Sequence, residues 1–143
     1  MTLFHYKPYS GNWEYGDYRC QKLDLTLLND MLTDDRLKII KLKEIAWKGK
    51  HHYPYNPGEY CYCCGGRKYK NCDPNIPGII AFNCQNPYDN KYTMLDGRHR
   101  ITKHLNEGKT ESEYYVFDFD EIKHLIRPYN RHKKEYKDVS ENS

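Results

Sequence analysis

Hydrophobic residues in the first third of the chain change from helical to strand spacing. Within residues 23–32 they recur every three or four positions, which predicts a short amphipathic helix with Asp24 or Thr26 as its N-cap. Residues 37–42 are rich in β-branched side chains and predict a strand, and a helix continuing through Ile45 is the alternative.

The second half of the chain alternates predicted strands and helices. Three short apolar runs predict strands, at residues 79–82, 91–95 and 114–119. The first two are antiparallel and joined by a turn at 86–90. A helix is predicted after the second run, with Ile101 and Leu105 on its apolar face and Gly108 as its stop, and another over residues 120–126. These elements predict a small α+β domain with a mixed sheet and short helices.

Three segments have no hydrophobic period. Residues 1–20 predict an extended arm with a short strand, which packs on the body or contacts another copy through its aromatic residues Phe4, Tyr6, Trp13 and Tyr15. Residues 48–77 are crowded with turn residues and predict a Cys-rich loop inserted into a single domain that spans residues 1–130. Residues 131–143 predict a loose, charged tail.

The most informative segment joins the second predicted strand to the helix after it. Asp96 is a good N-cap, and Gly97 permits a backbone conformation that a side chain hinders. Arg98, His99 and Arg100 then add hydrogen-bond donors and positive charge to the helix start, where backbone N–H groups and the helix dipole already favour an anion. The segment predicts a phosphate-binding turn, and the alternative is a local Asp96–Arg100 ion pair that binds nothing.

Residues 96–100, Asp-Gly-Arg-His-Arg, stand between a strand and a helix and resemble the signature of the ParB/sulfiredoxin-like superfamily. The resemblance covers residues 79–126, with a weaker one at 39–45. It implies a fold of that type and binding of a nucleoside triphosphate with Mg²⁺ through Asp96, Gly97, Arg98, His99 and Arg100. Members of the superfamily include nucleotide-hydrolysing DNA clamps, a free-serine kinase, sulfiredoxin and many phage proteins.

The resemblance also suggests which residues would take part in nucleotide hydrolysis or phosphoryl transfer. His99 and Arg100 match the phosphate-binding pair, and Glu44 occupies a region comparable to that of the kinase's glutamate base. In sulfiredoxin the position of Arg98 is the catalytic cysteine, so that activity is disfavoured. Whether this chain is an enzyme stays open at the level of sequence.

The Cys-rich loop offers metal ligands. Cys61 and Cys64 are followed by two glycines, as in a zinc knuckle, and Cys72 and His52 complete a Cys₃His set. Cys63, Cys84 or His51 could replace one of these ligands. Structural zinc would explain how the loop is held, while buried thiols and disulfides are the alternatives.

Composition changes this prediction at two points. The chain has 15 tyrosines, which predicts a partly aromatic core. The formal net charge is +3, and residues 127–138 alone hold five basic and two acidic side chains, so the body is neutral and the tail basic. Basic and aromatic residues alternate there and at 67–70, a pattern typical of surfaces that bind single-stranded nucleic acid.

No apolar run is long enough to span a membrane and the chain has no basic-then-apolar start, so we expect a cytoplasmic protein. The favoured function is nucleotide or phosphate binding, with hydrolysis or phosphoryl transfer as an extension. The alternative is a non-enzymatic phage or viral module, in a bacterial host's cytoplasm, that holds nucleic acid or a protein partner.

Overall fold

The computed structural model describes residues 9, 12–14, 21–47, 75–84, 86, 89–130 and 132–137. The chain divides into two compact units. The central unit runs from Thr33 to Phe119, and the terminal unit combines the residues up to Leu32 with those from Asp120 onward. Mixed sheets and a few short helices confirm the predicted α+β class.

The central unit contains a five-stranded sheet. Its strands are β3 (Leu37–Lys41), β4 (Ile45–Ala46), β5 (Gly78–Phe82), β6 (Tyr92–Asp96) and β7 (Glu111–Asp118), in the spatial order β3-β7-β5-β6-β4. β7 is antiparallel to β3 and parallel to β5, while β6 is antiparallel to β5 and parallel to β4. The sheet is therefore mixed, and the strands predicted at 37–42, 79–82, 91–95 and 114–119 are confirmed.

The core of the central unit lies between this sheet and the helix α1 (Arg98–Asn106). Ile80, Met94 and Tyr114 pack in one hydrophobic cluster with Ile101 of α1, which is fully buried. Leu105 is predicted to share that buried face but is 41% exposed. The buried face of α1 is formed by Ile101, Thr102 and His104 instead, and Leu105 lies beside it. Two tyrosines, at positions 92 and 114, bear out the aromatic core.

Gly108 ends α1 as predicted. Its φ is +79°, and its N–H donates to the Leu105 carbonyl at 3.0 Å. The next N–H, of Lys109, donates to the His104 carbonyl at 2.9 Å. This pair of bonds satisfies carbonyls that the helix itself leaves without donors.

The terminal unit contains a four-stranded antiparallel sheet. Its strands are β1 (Asn12–Glu14), β2 (Gln21–Asp24), β8 (Arg127–Asn130) and β9 (Glu135–Tyr136), in the order β1-β2-β8-β9. β1 confirms a short strand in the arm, whereas the predicted contacts of Phe4, Tyr6 and Tyr15 lie outside the described residues. Within the predicted loose tail, Glu135 and Tyr136 form β9 and pair with the end of β8, which corrects the prediction at these two positions, while residues 138–143 lie outside the described residues.

Two helix predictions need correction. The helix expected over 23–32 is a 3₁₀ helix, Leu25–Met31, because Leu23 belongs to β2 and only Leu25 and Leu28 are buried, three positions apart. The helix expected over 120–126 begins earlier, as α2 (Phe119–Ile122), and continues as a 3₁₀ turn, Lys123–Leu125. None of the helices in the described ranges combines the length and hydropathy needed to cross a membrane.

Candidate phosphate turn

The predicted turn joins β6 to α1, as the sequence indicates. Asp96 is the last residue of β6, Gly97 precedes the helix with a φ of +120°, and the Gly97 carbonyl accepts the first helical bond from the Ile101 N–H at 2.9 Å. The φ of Gly97 is one that L side chains rarely adopt, so glycine is required here. Asp96 was expected as the N-cap. Gly97 holds that position instead, and α1 has no side-chain cap.

The carboxylate of Asp96 forms an ion pair with Arg100 instead of capping the helix. Its Oδ2 lies 3.2 Å from Nη1 of Arg100, four residues on, and accepts a hydrogen bond from it. The side chains of Arg100 and Asp96 are 15% and 28% exposed. The local ion pair that the sequence raised is therefore present, and a ligand phosphate would compete with Asp96 for Arg100.

The first residue of β5 lies against the turn. A Cβ on Gly78 would stand 2.8 Å from the Asp96 carbonyl oxygen and 2.8 Å from Cε1 of Tyr114, while a Cβ on Gly97 would stand 3.2 Å from Cα of Gly78. Such distances leave no room for a side chain at Gly78. The two backbones pass each other at this point because both residues are glycine.

Tyr114 forms the wall behind Gly78. Its side chain is 2% exposed, and burial raises the phenol pKa strongly, while the positive charge of Arg100 acts in the opposite direction. The phenol therefore stays neutral at physiological pH and places an apolar ring beside the turn. Neither Gly78 nor Tyr114 is among the site residues predicted from the sequence. The only signal was a glycine directly before an apolar strand.

Three basic residues form the first turn of α1. Arg98, His99 and Arg100 are partly exposed, and the positive end of the helix dipole lies at the same place. Behind them, the buried hydroxyl of Thr102 donates to the Arg98 carbonyl at 2.9 Å. The turn thus concentrates positive potential on a backbone that buried neighbours hold in position.

Glu44 lies away from this turn. It ends the 3₁₀ turn Leu42–Glu44, and the next residue, Ile45, is paired with Tyr92 at the start of β6. Asp96 stands four residues further along β6, which corresponds to roughly 13 Å of strand. The structure brings Asp96, Gly97, Arg98, His99 and Arg100 together but does not bring Glu44 to them.

A separate cavity of about 320 Å³ opens near the other end of α1. It is lined by Ile39, Asn75, Pro77, His104, Lys109, Glu111, Ser112 and Glu113. Both acidic and basic groups face it, so its lining shows no preference for one sign of ligand charge. It contains no residue of the phosphate turn.

The predicted zinc ligands His52, Cys61, Cys64 and Cys72 lie outside the described residues. Among the residues that the structure does describe, no group of three or more His, Cys, Asp or Glu side chains could hold a metal. Cys84, an alternative ligand, is buried in the central unit, and burial raises its thiol pKa. A raised pKa disfavours the thiolate that metal binding needs.

The predicted basic and aromatic surface is only partly described. Residues 67–70 lie outside the described ranges. Tyr129 is 9% exposed, and its ring meets that of Tyr136 edge to face at 5.1 Å. The two rings pack against each other within the terminal sheet, which is not the open arrangement that base stacking requires.

No protein-family model matches the chain, and neither a curated protein nor a solved structure matches it.

Proposed function

We propose that the turn formed by residues 96–100 binds the phosphate groups of a nucleotide. The observation that carries the proposal is the geometry of the turn: a strand ends at Asp96, a glycine with a φ of +120° follows, and a nine-residue helix begins at Arg98. Strand, glycine turn and helix start in this order form a common phosphate-binding arrangement. The resemblance of residues 96–100 to the ParB/sulfiredoxin signature extends the proposal to the fold, in which the central unit would be a ParB/sulfiredoxin-like domain.

The charges at the turn support an anionic ligand. Arg100 can form two parallel hydrogen bonds with a phosphate, and His99 can donate one. Exchange of the Asp96 carboxylate for a phosphate at Arg100 keeps the less exposed guanidinium paired. The displaced Asp96 carboxylate, 28% exposed, then repels the phosphate, and this cost reduces the affinity. A triphosphate would bring Mg²⁺, which neutralises part of its charge.

Binding is better supported than turnover. Catalysis of phosphoryl transfer consists mainly of positioning the phosphate and neutralising charge, and His99 and Arg100 are suited to both tasks. A base is a further requirement for transfer to an acceptor, and the position of Glu44 at the far end of β6 does not support it in that role. In hydrolysis of the bound nucleotide a positioned water would replace the acceptor, while His99 and Arg100 would neutralise the charge on the phosphates.

The test is thermal unfolding with ATP, CTP, GTP and pyrophosphate, each with and without Mg²⁺. A ligand at 100 times its dissociation constant stabilises the native state by about 2.7 kcal/mol, which gives a clear rise in unfolding temperature. We expect this rise to be lost in Arg100→Ala and kept in Lys38→Ala, which removes an exposed positive charge from β3 instead.

Two outcomes would contradict the proposal. A rise that survives Arg100→Ala would place the ligand elsewhere on the protein. Absence of any rise would leave the Asp96–Arg100 ion pair as a purely structural feature, and the non-enzymatic binding module would then be the better hypothesis. The variant Asp96→Asn gives a further test. Removal of the competing carboxylate should strengthen phosphate binding at Arg100 and so increase the rise in unfolding temperature.

A further inference from the structure

The C-terminal basic segment forms a β-hairpin with a defined turn. β8 and β9 pair through Tyr129 with Tyr136 and Asn130 with Glu135. The Asn130 side-chain oxygen accepts hydrogen bonds from the N–H groups of His132 and Lys133, at 3.0 and 3.1 Å. These bonds hold the backbone of His132 and Lys133 against the Asn130 side chain.

The exposed side chains of this hairpin are mainly cationic. Lys133, Lys134 and Lys137 are exposed, and Glu135 is the one exposed acidic side chain among the described residues 127–137. His132 is exposed next to the lysines. The first half of β8 also pairs with β2, through Arg127 and Pro128, whereas Tyr129 and Asn130 pair with β9 and with no described residue of β2. Among the described residues the end of the hairpin is therefore two-stranded, and it presents Lys133 and Lys134.

A cationic side chain of the same sheet lies over each of the two tyrosine rings of the hairpin. The Lys22 ammonium lies 4.1 Å from the centre of the Tyr129 ring, and the Arg127 guanidinium lies 5.0 Å from that of Tyr136. Burial, with a smaller contribution from the Asp24 carboxylate, raises the pKa of Tyr136 to about 12, so its phenol is neutral under physiological conditions. Rings covered by cations of the same sheet do not offer the open faces on which unpaired bases stack.

We propose that this hairpin binds the phosphate backbone of duplex DNA, with its tip in the major groove. Exposed lysines at the end of a hairpin complement a phosphate backbone, and a two-stranded ribbon fits the major groove of B-form DNA. The major groove of A-form RNA is too deep and narrow to admit one. The inference rests on the terminal unit and is independent of the phosphate turn in the central unit.

The test is fluorescence anisotropy with a labelled duplex DNA of about 20 base pairs and arbitrary sequence, compared with single-stranded DNA and duplex RNA of the same length. Three lysine–phosphate contacts give a salt slope near −2.7, which is a loss of about fortyfold in affinity between roughly 50 and 200 mM salt. Binding without sequence preference is expected at dissociation constants of about 10⁻⁶ to 10⁻⁴ M.

The variant that tests the surface combines Lys133→Gln, Lys134→Asn and Lys137→Gln. Asparagine is chosen for position 134 because the φ there is +56°, which Asn tolerates well. The matched control combines Lys38→Gln, Lys41→Gln and Lys43→Gln, three exposed lysines of the central unit. Both variants lower the net charge by three.

We expect the hairpin variant to lose most of the duplex affinity and of the salt slope, and the control to keep both. The single variant Lys133→Gln, which leaves the backbone bonds to Asn130 in place, should reduce the slope by about 0.9. Equal losses in the two triple variants would show that net charge alone attracts DNA and would overturn the proposal. Preference for single-stranded DNA or duplex RNA, or absence of binding at low salt, would also overturn it.

Discussion

Residue 78 is a place where the identity of a single side chain determines whether the candidate site can form. The start of β5 touches the Asp96 carbonyl, and the ring of Tyr114 closes the other side. Backbone atoms cannot rotate away as a flexible side chain can, so the space at Gly78 is fixed. The site therefore requires glycine at position 78 in β5 as well as at Gly97 in the turn itself.

Substitution of Gly78 by alanine should destabilise the protein by about 2 kcal/mol, because the new methyl group overlaps both the Asp96 carbonyl oxygen and the Tyr114 ring. Urea unfolding measures the change in the free energy of unfolding. Gly108→Ala is the control: its Cβ would meet nothing within 4 Å, and only the φ of +79° is unfavourable, which costs about 1 kcal/mol. A smaller loss for Gly78→Ala than for Gly108→Ala would contradict the crowding at β5.

The residues of the turn are predictable from the sequence, but the residues that surround the turn are not. Gly97 and Arg100 belong to one contiguous motif, whose residue types indicate a turn and an anion. Gly78 and Tyr114 reach the turn only through the pairing of β5 with β6 and β7, and one sequence does not specify such non-local pairings. The misplaced N-cap has a local cause, since an aspartate can cap a helix or pair with an arginine four residues on, and Asp96 does the latter.

At the scale of elements, the 3₁₀ helix Leu25–Met31 is held at its start by one side chain. Oδ1 of Asp24 accepts hydrogen bonds from the Thr26 N–H at 3.0 Å and from the Thr26 hydroxyl at 2.7 Å. The sequence left Asp24 and Thr26 as alternative caps, and the structure places Asp24 at the N-cap. A short helix depends strongly on such a cap because few internal bonds support it.

Asp24→Ala should therefore lower the free energy of unfolding by about 1 kcal/mol, the usual cost of losing an N-cap. Asp30→Ala is the control, since it removes an exposed carboxylate from the last turn of the same helix, whereas Asp24 is half-buried. Chemical denaturation followed by circular dichroism measures both variants. Equal effects would mean that the cap contributes nothing beyond the loss of a negative charge.

The elements that sequence analysis missed share a physical cause. β8 and β9 contain charged and polar residues that are typical of a mobile tail, and their pairing with each other and with β2 makes them strands. The strands at 37–42 and 79–82 could be predicted because each segment is rich in apolar residues, which can be seen without knowing the strand that it pairs with. The hydrophobic pattern therefore predicts strands whose own residues are largely apolar. It does not predict strands of polar residues, whose conformation depends on pairing with a neighbouring strand.

At the scale of the molecule, the terminal unit is assembled from the two ends of the described chain. Gln21 pairs with Pro128 and Lys22 with Arg127 across more than a hundred residues. Each end supplies two of the four strands, and contacts this distant in sequence leave no local pattern. The division into two units could not have been predicted from composition or spacing.

The zinc site predicted in the Cys-rich loop has consequences for the whole protein that can be measured. Protein purified without added metal should contain about one zinc per chain by elemental analysis, and a chelator should lower the unfolding temperature, because metal binding adds to the free energy of folding. Loss of zinc should accompany acidification, since thiolates and the imidazole of His52 must be deprotonated to bind.

Cys61→Ser combined with Cys64→Ser removes the predicted knuckle, and Cys20→Ser, outside the proposed ligand set, serves as the control. Zinc retained by the double variant would contradict the assigned ligands, and its absence from the unaltered protein would contradict the site itself.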